Sequence, residues 1–180
     1  TTLICSDADH IPLNSKKELC LTADICQMMP VQIHRQNYFH MAQQGLFGEV
    51  IHAQGAYIHN LEEYWTRYHN NWRLDFNQKH AGDVYPTHGL GPVCQVLDIH
   101  RGDKMDYLVS MSTPSINGLK IAKDQMNVDT FANGDMTSTL IKTNKGKTIL
   151  IQHNVYTPRP YDRLYQLTGT EGFANKYPFE

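Results

Sequence analysis

The sequence lacks the features that mark the commonest nucleotide-, metal- and nucleic-acid-binding proteins. No glycine-rich run of the GxGxxG type follows a predicted strand, so the chain carries no dinucleotide fingerprint. Lysine and arginine total 16 against 18 aspartates and glutamates, and no basic run argues for a nucleic-acid partner. No apolar stretch approaches the roughly 20 residues that span a bilayer. Hydrophobic content of 41% and charged content of 19% are those of a globular chain.

Cysteine is scarce, and its spacing is wrong for a metal site. The chain has four cysteines, none in a CxxC pair: Cys5, Cys20, Cys26 and Cys94. We expect free thiols rather than disulfides. Histidine is plentiful, with 10 residues, but no HExxH or HxH motif occurs, so we expect no metal site. The first ten residues have neither the positive charge nor the apolar stretch of a signal peptide.

Helix patterns come early in the chain and strand patterns late. Helices are expected over 15–29, capped by Ser15 and stopped by Pro30, over 35–44, and over 93–99 following a start near Pro86. Strands are expected over 49–59 (with Gly55 as a possible bulge), 105–113, 117–123, 135–143, 148–156 and 164–169, with a hairpin turn at 144–146. An irregular aromatic loop fills 60–79. This order predicts an α+β fold: an open, mainly antiparallel sheet with helices on one face.

The most informative stretch is HAGDVYPTHGLGP, residues 80–92. Pro86 stands where a helix can begin, and Gly89 is small enough for another backbone or a ligand to come close. Tyr85 and His88 lie three residues apart across this helix start, so they project to one side. Histidine is the commonest general acid or base, which makes this a candidate site. The open alternative is that His88 caps the helix or fills a polar gap in the core.

Tyr57 and His59 form a second candidate pair. Alternation along the predicted strand puts both on one face and Ile58 on the other. If Ile58 faces the core, the phenol and the imidazole line an open face, although a solvated or interface surface stays an alternative. A tyrosine acts as a base only where a nearby cation or dipole lowers its pKa from about 10.

Aromatic residues crowd the segment 60–79, with Arg73 among them. Sugar rings stack their apolar faces on indoles and phenols, while an arginine binds hydroxyls, so the segment is typical of a carbohydrate platform. Trp65 and Trp72 can equally anchor a packed loop or a subunit interface. Farther along, the stiff segment TPRPY (157–161) either aims Arg159 or Tyr161 at a pocket or forms only a rigid turn.

Four segments taken together are not generic: GEVIHAQGAYIHNL (48–61), NNWRLDFNQKHAGDVYPTHGLGP (70–92), LDIHRGDKMDYLVSMST (97–113) and TPRPYDRLYQLTGTEGFANKYP (157–178). They resemble glycoside hydrolase family 109, within the Gfo/Idh/MocA group of oxidoreductases. The resemblance runs from about residue 41 to the end, roughly three quarters of the chain. It implies an α+β domain for substrate binding and oligomerisation over 35–180, after a poorly matched segment, expected to be helical, over 1–34. The family's N-terminal Rossmann domain and its EKP-type motif have no counterpart here.

The resemblance also implies a mechanism. In this family NAD takes a hydride from C3 of an α-N-acetylgalactosaminide, which acidifies the C2 proton. Loss of that proton expels the glycosidic oxygen, water adds, and the hydride returns. The usual pair of glycosidase carboxylates is therefore unnecessary.

The resemblance implies roles for six residues. Tyr57 and His88 match acid/base positions, with His88 assigned to the C3 hydroxyl. Contacts to the sugar or the cofactor are implied for four more residues: His59, Arg73, Tyr85 and Tyr161. NAD is the implied cofactor, but the residues that bind it are unknown.

Two other functions stay open. One is a sugar oxidoreductase of the same superfamily, and the other is a non-catalytic carbohydrate-binding or oligomerisation domain. We expect the full-length protein to be the enzyme and this chain alone to be inactive. We also expect a dimer or larger assembly formed through the sheet. Family members are often exported, but the cellular location stays open.

Overall fold

The computed structural model describes residues 29–65 and 72–176. The helices within these ranges are α1 (Met29–Gln43), α2 (Glu62–Trp65), α3 (Trp72–Lys79), α4 (Thr87–Val96) and α5 (Asn117–Met126). The strands are β1 (Val50–Ile58), β2 (Met105–Ser112), β3 (Thr137–Thr143), β4 (Thr148–Asn154), β5 (Tyr165–Gly169) and β6 (Phe173–Asn175). The helix expected over 15–29 lies outside the described residues except for its last residue.

The six strands form one open sheet in the order β2-β3-β4-β1-β5-β6. Only β1 and β4 run parallel, and the other neighbouring pairs are antiparallel. The expectation of an open, mainly antiparallel sheet is therefore confirmed. The turn expected at 144–146 joins β3 to β4, and Gly146 adopts a φ of 85° there. The short strand β6 was not expected.

Helix α4 covers the middle of the sheet. Its buried Val93 and Leu90 pack in one core cluster with Ile149 of β4 and Leu167 of β5. The helix can approach this closely because Gly55 of β1 faces Gly89, where a Cβ on Gly55 would lie 2.2 Å from the Gly89 carbonyl oxygen. The expected bulge at Gly55 is wrong, since the register shift in β1 falls between Val50 and His52.

The strand expected over 117–123 is wrong, because these residues belong to helix α5. The Asp135 carboxylate accepts the backbone N–H groups of Ile116, Asn117 and Gly118 at 2.9–3.1 Å, which satisfies the first turn of the helix. Residues 118, 121 and 122 are buried, a helical rather than an alternating pattern.

Other boundaries also differ from expectation. Pro30 was expected to stop a helix but is the second residue of α1, where its missing N–H is not needed. The segment 60–79 was expected to be irregular but contains α2 and α3. Helix α4 ends at Val96 rather than 99, with Leu97 as its C-cap.

Three further features are described for these ranges alone. Cys94 is a free thiol, and the other cysteines lie outside these ranges. No cluster of histidine, cysteine and carboxylate side chains within the described ranges is suited to hold a metal. Of the helices described, none combines the length and apolar character that a membrane span requires.

Candidate functional site

Aromatic and imidazole rings gather at the end of β1, around Tyr57. The Tyr57 ring centroid lies 5.1 Å from those of both Tyr85 and His88, and 6.0 Å from that of His153. The rings of Tyr85 and His88 lie edge to face, with 4.8 Å between their centroids. We call these four residues and Arg163 the ring cluster.

The start of α4 places two of these rings. The Asp83 carboxylate accepts the backbone N–H of Tyr85 at 3.1 Å, which fixes the turn before Pro86. The Leu90 N–H then bonds to the Pro86 carbonyl at 2.8 Å as the helix begins. Burial raises the pKa of Asp83 to about 6, although its hydrogen bond to Tyr85 opposes that shift.

His59 and Tyr161 lie at the exposed side of the ring cluster. Their rings meet edge to face at 5.0 Å, and the His59 ring lies 6.1 Å from that of Tyr57. Burial lowers the pKa of His59, and the positive charge of Arg163 lowers it further. Tyr161 is 48% exposed, so this end of the site is open to solvent.

Arg73 approaches the ring cluster from α3. Its guanidinium carbon lies 4.9 Å from the Tyr85 ring centroid and 4.7 Å from the Trp72 ring centroid, the geometry of cation–π contacts. The Asn77 side chain donates to the Arg73 carbonyl at 2.6 Å and accepts from buried Asn133 at 2.6 Å. The described residues thus bring together all six side chains named from the sequence.

Two members of the ring cluster were missed in the sequence. Arg163 donates from Nη1 to His88 Nδ1 at 3.0 Å, and its guanidinium carbon lies 5.0 Å from the Tyr57 ring centroid. His153 pairs with Tyr57 across the parallel strands, and burial lowers its pKa to about 4. The position of Arg163, two residues beyond Tyr161 in an extended segment, is a signal that could have found it. Nothing local predicts the pairing with His153.

The face at Tyr57 was expected to be open, and this is wrong for the tyrosine itself, which is only 5% exposed. Its ring is covered by Tyr85, just before α4, and by His88 in the first turn of α4. Beside the ring lies a narrow cleft with a cavity volume of about 20 Å³, lined among others by Trp72, Arg73 and His153. This volume holds about one water molecule, so a larger ligand requires the lining side chains to move apart.

Residues 34–179 match the family model described as glycosyl hydrolase 109, C-terminal domain. The chain belongs to glycosyl hydrolase family 109. It is 66% identical over 142 residues to glycosyl hydrolase family 109 protein 1 of Bacteroides fragilis, which covers 78% of this chain and 31% of that protein. It is 45% identical over 174 residues to the alpha-N-acetylgalactosaminidase of the same species, covering 90% of this chain and 40% of that protein. The chain thus spans 31% to 40% of the length of these two family 109 relatives.

Solved structures show the same fold as this family 109 chain. An apo scyllo-inositol dehydrogenase from Lactobacillus casei matches with a TM-score of 0.56 and 9% identity, over 84% of this chain and 39% of that one. A myo-inositol 2-dehydrogenase from Lactobacillus plantarum matches with a TM-score of 0.56 and 10% identity, over 81% of this chain and 39% of that one. The chain therefore shares its fold with part of these inositol dehydrogenases, and the family model confirms the expected resemblance to glycoside hydrolase family 109.

Proposed function

We propose that this chain supplies the substrate-binding and proton-transfer residues of an NAD-dependent glycosidase that acts on α-N-acetylgalactosaminides. The observation that carries the proposal is the ring cluster, in which a phenol, an imidazole and a guanidinium lie in mutual contact beside a cleft. The 45% identity to a relative named alpha-N-acetylgalactosaminidase supports the substrate.

The described residues do not themselves fit a dinucleotide. A pyrophosphate site of the Rossmann type needs a glycine-rich turn whose N–H groups face the phosphates. The close glycine contact at Gly55 and Gly89 instead serves helix-on-strand packing. The chemistry that NAD supplies when bound is reversible hydride acceptance at C3 of the sugar. We therefore assign only proton transfer and sugar binding to this chain.

Two protons must be handled on the sugar, one on the C3 hydroxyl and one on C2. We assign His88 to the C3 oxygen and Tyr57 to the C2 proton. Arg163 supplies the fixed positive charge that a basic tyrosine needs, because its guanidinium carbon lies 5.0 Å from the Tyr57 ring centroid. Burial of Tyr57 under α4 excludes bulk water from its ring face.

Four further side chains are placed to hold the sugar. Tyr85 offers a ring at the cleft, and Arg73 lies beside it with donors for hydroxyl or amide oxygens. His59 and Tyr161 border the exposed side, where the leaving group of a glycoside would emerge. The proposal thus assigns proton transfer to the buried rings and sugar binding to the four side chains around them.

Turnover of an aryl α-N-acetylgalactosaminide by the full-length protein tests the proposal. We expect aglycone release without net formation of NADH. The substitutions Tyr57→Phe and His88→Gln should each lower kcat at least 100-fold, as loss of a general base or of a donor to developing negative charge does. Tyr107→Phe, at a residue 61% exposed on β2, and His40→Gln, at an exposed residue of α1, are the matched controls and should leave kcat unchanged.

Other outcomes of the same assay favour the alternatives. Steady accumulation of NADH would replace the glycosidase with a sugar oxidoreductase. Sugar binding without turnover would favour a non-catalytic carbohydrate-binding domain.

The sheet also supports a proposal about assembly. Strand β2 lies at the sheet edge, and Tyr107, Leu108, Val109 and Met111 on it are each more than half exposed. We propose that this strand lies in a contact between copies of the protein, because apolar patches of this kind mark interfaces. The mass of the full-length protein in light scattering should exceed that of one copy and fall to it in a Val109→Lys/Met111→Lys variant. A wild-type mass equal to one copy would contradict the proposal.

A further inference from the structure

One guanidinium contacts three of the side chains assigned to the site. Arg163 Nη1 lies 3.0 Å from His88 Nδ1, and the Arg163 guanidinium carbon lies 5.0 Å from the Tyr57 ring centroid and 5.5 Å from that of Tyr161. Arg163 is only 8% exposed, and its partner His88 is 75 residues away in sequence. Nothing in the family resemblance assigned it a role.

The main chain fixes where this guanidinium lies. The Ile58 N–H donates to the Asp162 carbonyl at 2.9 Å, and the Ala56 N–H donates to the Leu164 carbonyl at 3.0 Å. These two bonds flank Tyr57 on one strand and Arg163 on the other. The Lys176 ammonium also donates to the Arg163 carbonyl at 3.2 Å. These hydrogen bonds fix the backbone of Arg163 opposite that of Tyr57, so the Arg163 side chain starts from a fixed position.

The chemistry of the two groups decides the direction of the Arg163–His88 bond. A guanidinium carries five N–H donors, no acceptor, and cannot lose its proton in a protein. His88 Nδ1 must therefore accept, which requires a lone pair on that nitrogen. A neutral imidazole with a lone pair on Nδ1 carries its proton on Nε2. A doubly protonated ring would lose this bond and bring two positive charges together.

We infer that Arg163 is a positioning residue that holds His88 in the tautomer protonated on Nε2, so that His88 meets the substrate as a hydrogen-bond donor. The Nε2–H points away from the guanidinium, since the two nitrogens lie on different sides of the ring. The consequence for catalysis rests on the proposed function: His88 donates to the C3 oxygen, where negative charge develops when the C2 proton leaves. Preorganised donors of this kind stabilise such charge. His88 then takes neither proton of the sugar. Tyr57, ionised beside Arg163, takes the C3 hydroxyl proton during hydride transfer and gives it to the departing glycosidic oxygen as it receives the C2 proton.

The tautomer can be read directly, without any activity, from nitrogen NMR spectra of histidine-labelled full-length protein. The His88 signals are assigned by their disappearance in His88→Gln. We expect a protonated Nε2 and an unprotonated Nδ1 between pH 6 and 8. A proton on Nδ1 of the wild-type protein, or on both nitrogens, would overturn the inference whatever the activity of the variants.

Variants at Arg163 link the tautomer to the reaction. Arg163→Met should give a mixture of both tautomers and lower kcat at least tenfold, with KM changed less than threefold. Arg163→Lys keeps a donor and should retain more of the Nε2–H form and of kcat than Arg163→Met. Arg159→Met, at an exposed arginine of the same segment, is the matched control and should change neither quantity. A fall in kcat with an unchanged tautomer would contradict the inference, because Arg163 would then act on the substrate directly.

The two proposals can fail separately. If the tautomer is as expected but no aglycone is released, the glycosidase is refuted and the positioning of His88 stands. If aglycone is released without NADH but the Nδ1 proton is present, the glycosidase stands and the role of Arg163 is refuted.

Discussion

Replacing Gly55 with alanine is expected to disrupt the contact that brings His88 to Tyr57. A Cβ at position 55 would lie 2.2 Å from the carbonyl oxygen of Gly89, 2.7 Å from its carbonyl carbon and 3.0 Å from its Cα. Ordinary contacts of a Cβ begin near 3.4 Å, so the helix must move by roughly 1 Å. All three obstructing atoms are backbone atoms, so no side chain can rotate away. We expect a loss of about 3 kcal/mol, the upper part of the range for overpacked cores.

The assay is urea denaturation of the wild type and the variant, followed by tryptophan fluorescence, with kcat measured alongside. Because Gly89 is the neighbour of His88, the same movement should lower kcat at temperatures where the variant is folded. Gly91→Ala is the matched control: it lies in the same helix with open space around it, and alanine favours a helix by up to about 1 kcal/mol. A Gly55→Ala protein within about 0.5 kcal/mol of the wild type would refute the packing argument.

Asp135→Ala should lower the free energy of unfolding by about 2 kcal/mol, because three N–H groups at the start of α5 lose their acceptor. The control is Asp129→Ala, at a side chain 92% exposed, which should change the free energy of unfolding by less than about 0.5 kcal/mol. Both values are measured by urea titration. His153 is expected to make the protein acid-sensitive. Its folded pKa of about 4 lies below the usual 6.5, so only the unfolded chain takes up this proton between those values, and stability falls as the pH is lowered through that window by about 3 kcal/mol. The raised pKa of Asp83 acts in the opposite direction, so the test is the difference between wild type and His153→Gln; parallel pH curves would contradict it.

Local patterns in the sequence were enough to place the rings that lie near one another in the chain. Alternation set Tyr57 and His59 on one face, and the helix start set Tyr85 beside His88. The helix α5 was mistaken for a strand because its stabilising carboxylate, Asp135, lies 17 to 19 residues farther along the chain. No window of sequence contains both groups.

His153 and Arg163 were missed for the same reason, because their partners in the site lie far away in the sequence. His153 reaches Tyr57 only through the parallel pairing of β1 with β4, and Arg163 reaches His88 only when the segment before β5 pairs with β1. Hydrophobic patterns identify strands, but they do not specify which strands become neighbours. The family resemblance named six site residues and left Arg163 and His153 out.

The parallel pairing of β1 with β4 has a consequence for how the protein responds to its ligand. His52 and Thr148, joined in that pairing, are 96 residues apart, so the contact carries a loop-closure entropy and forms slowly. The ring cluster depends on this contact and exists only in the folded chain. Any ligand of the cluster therefore binds the native state alone, and at 100 times its Kd it would add about 2.7 kcal/mol to the free energy of unfolding. Thermal shift in the presence of candidate sugars can thus identify the ligand without a catalytic assay.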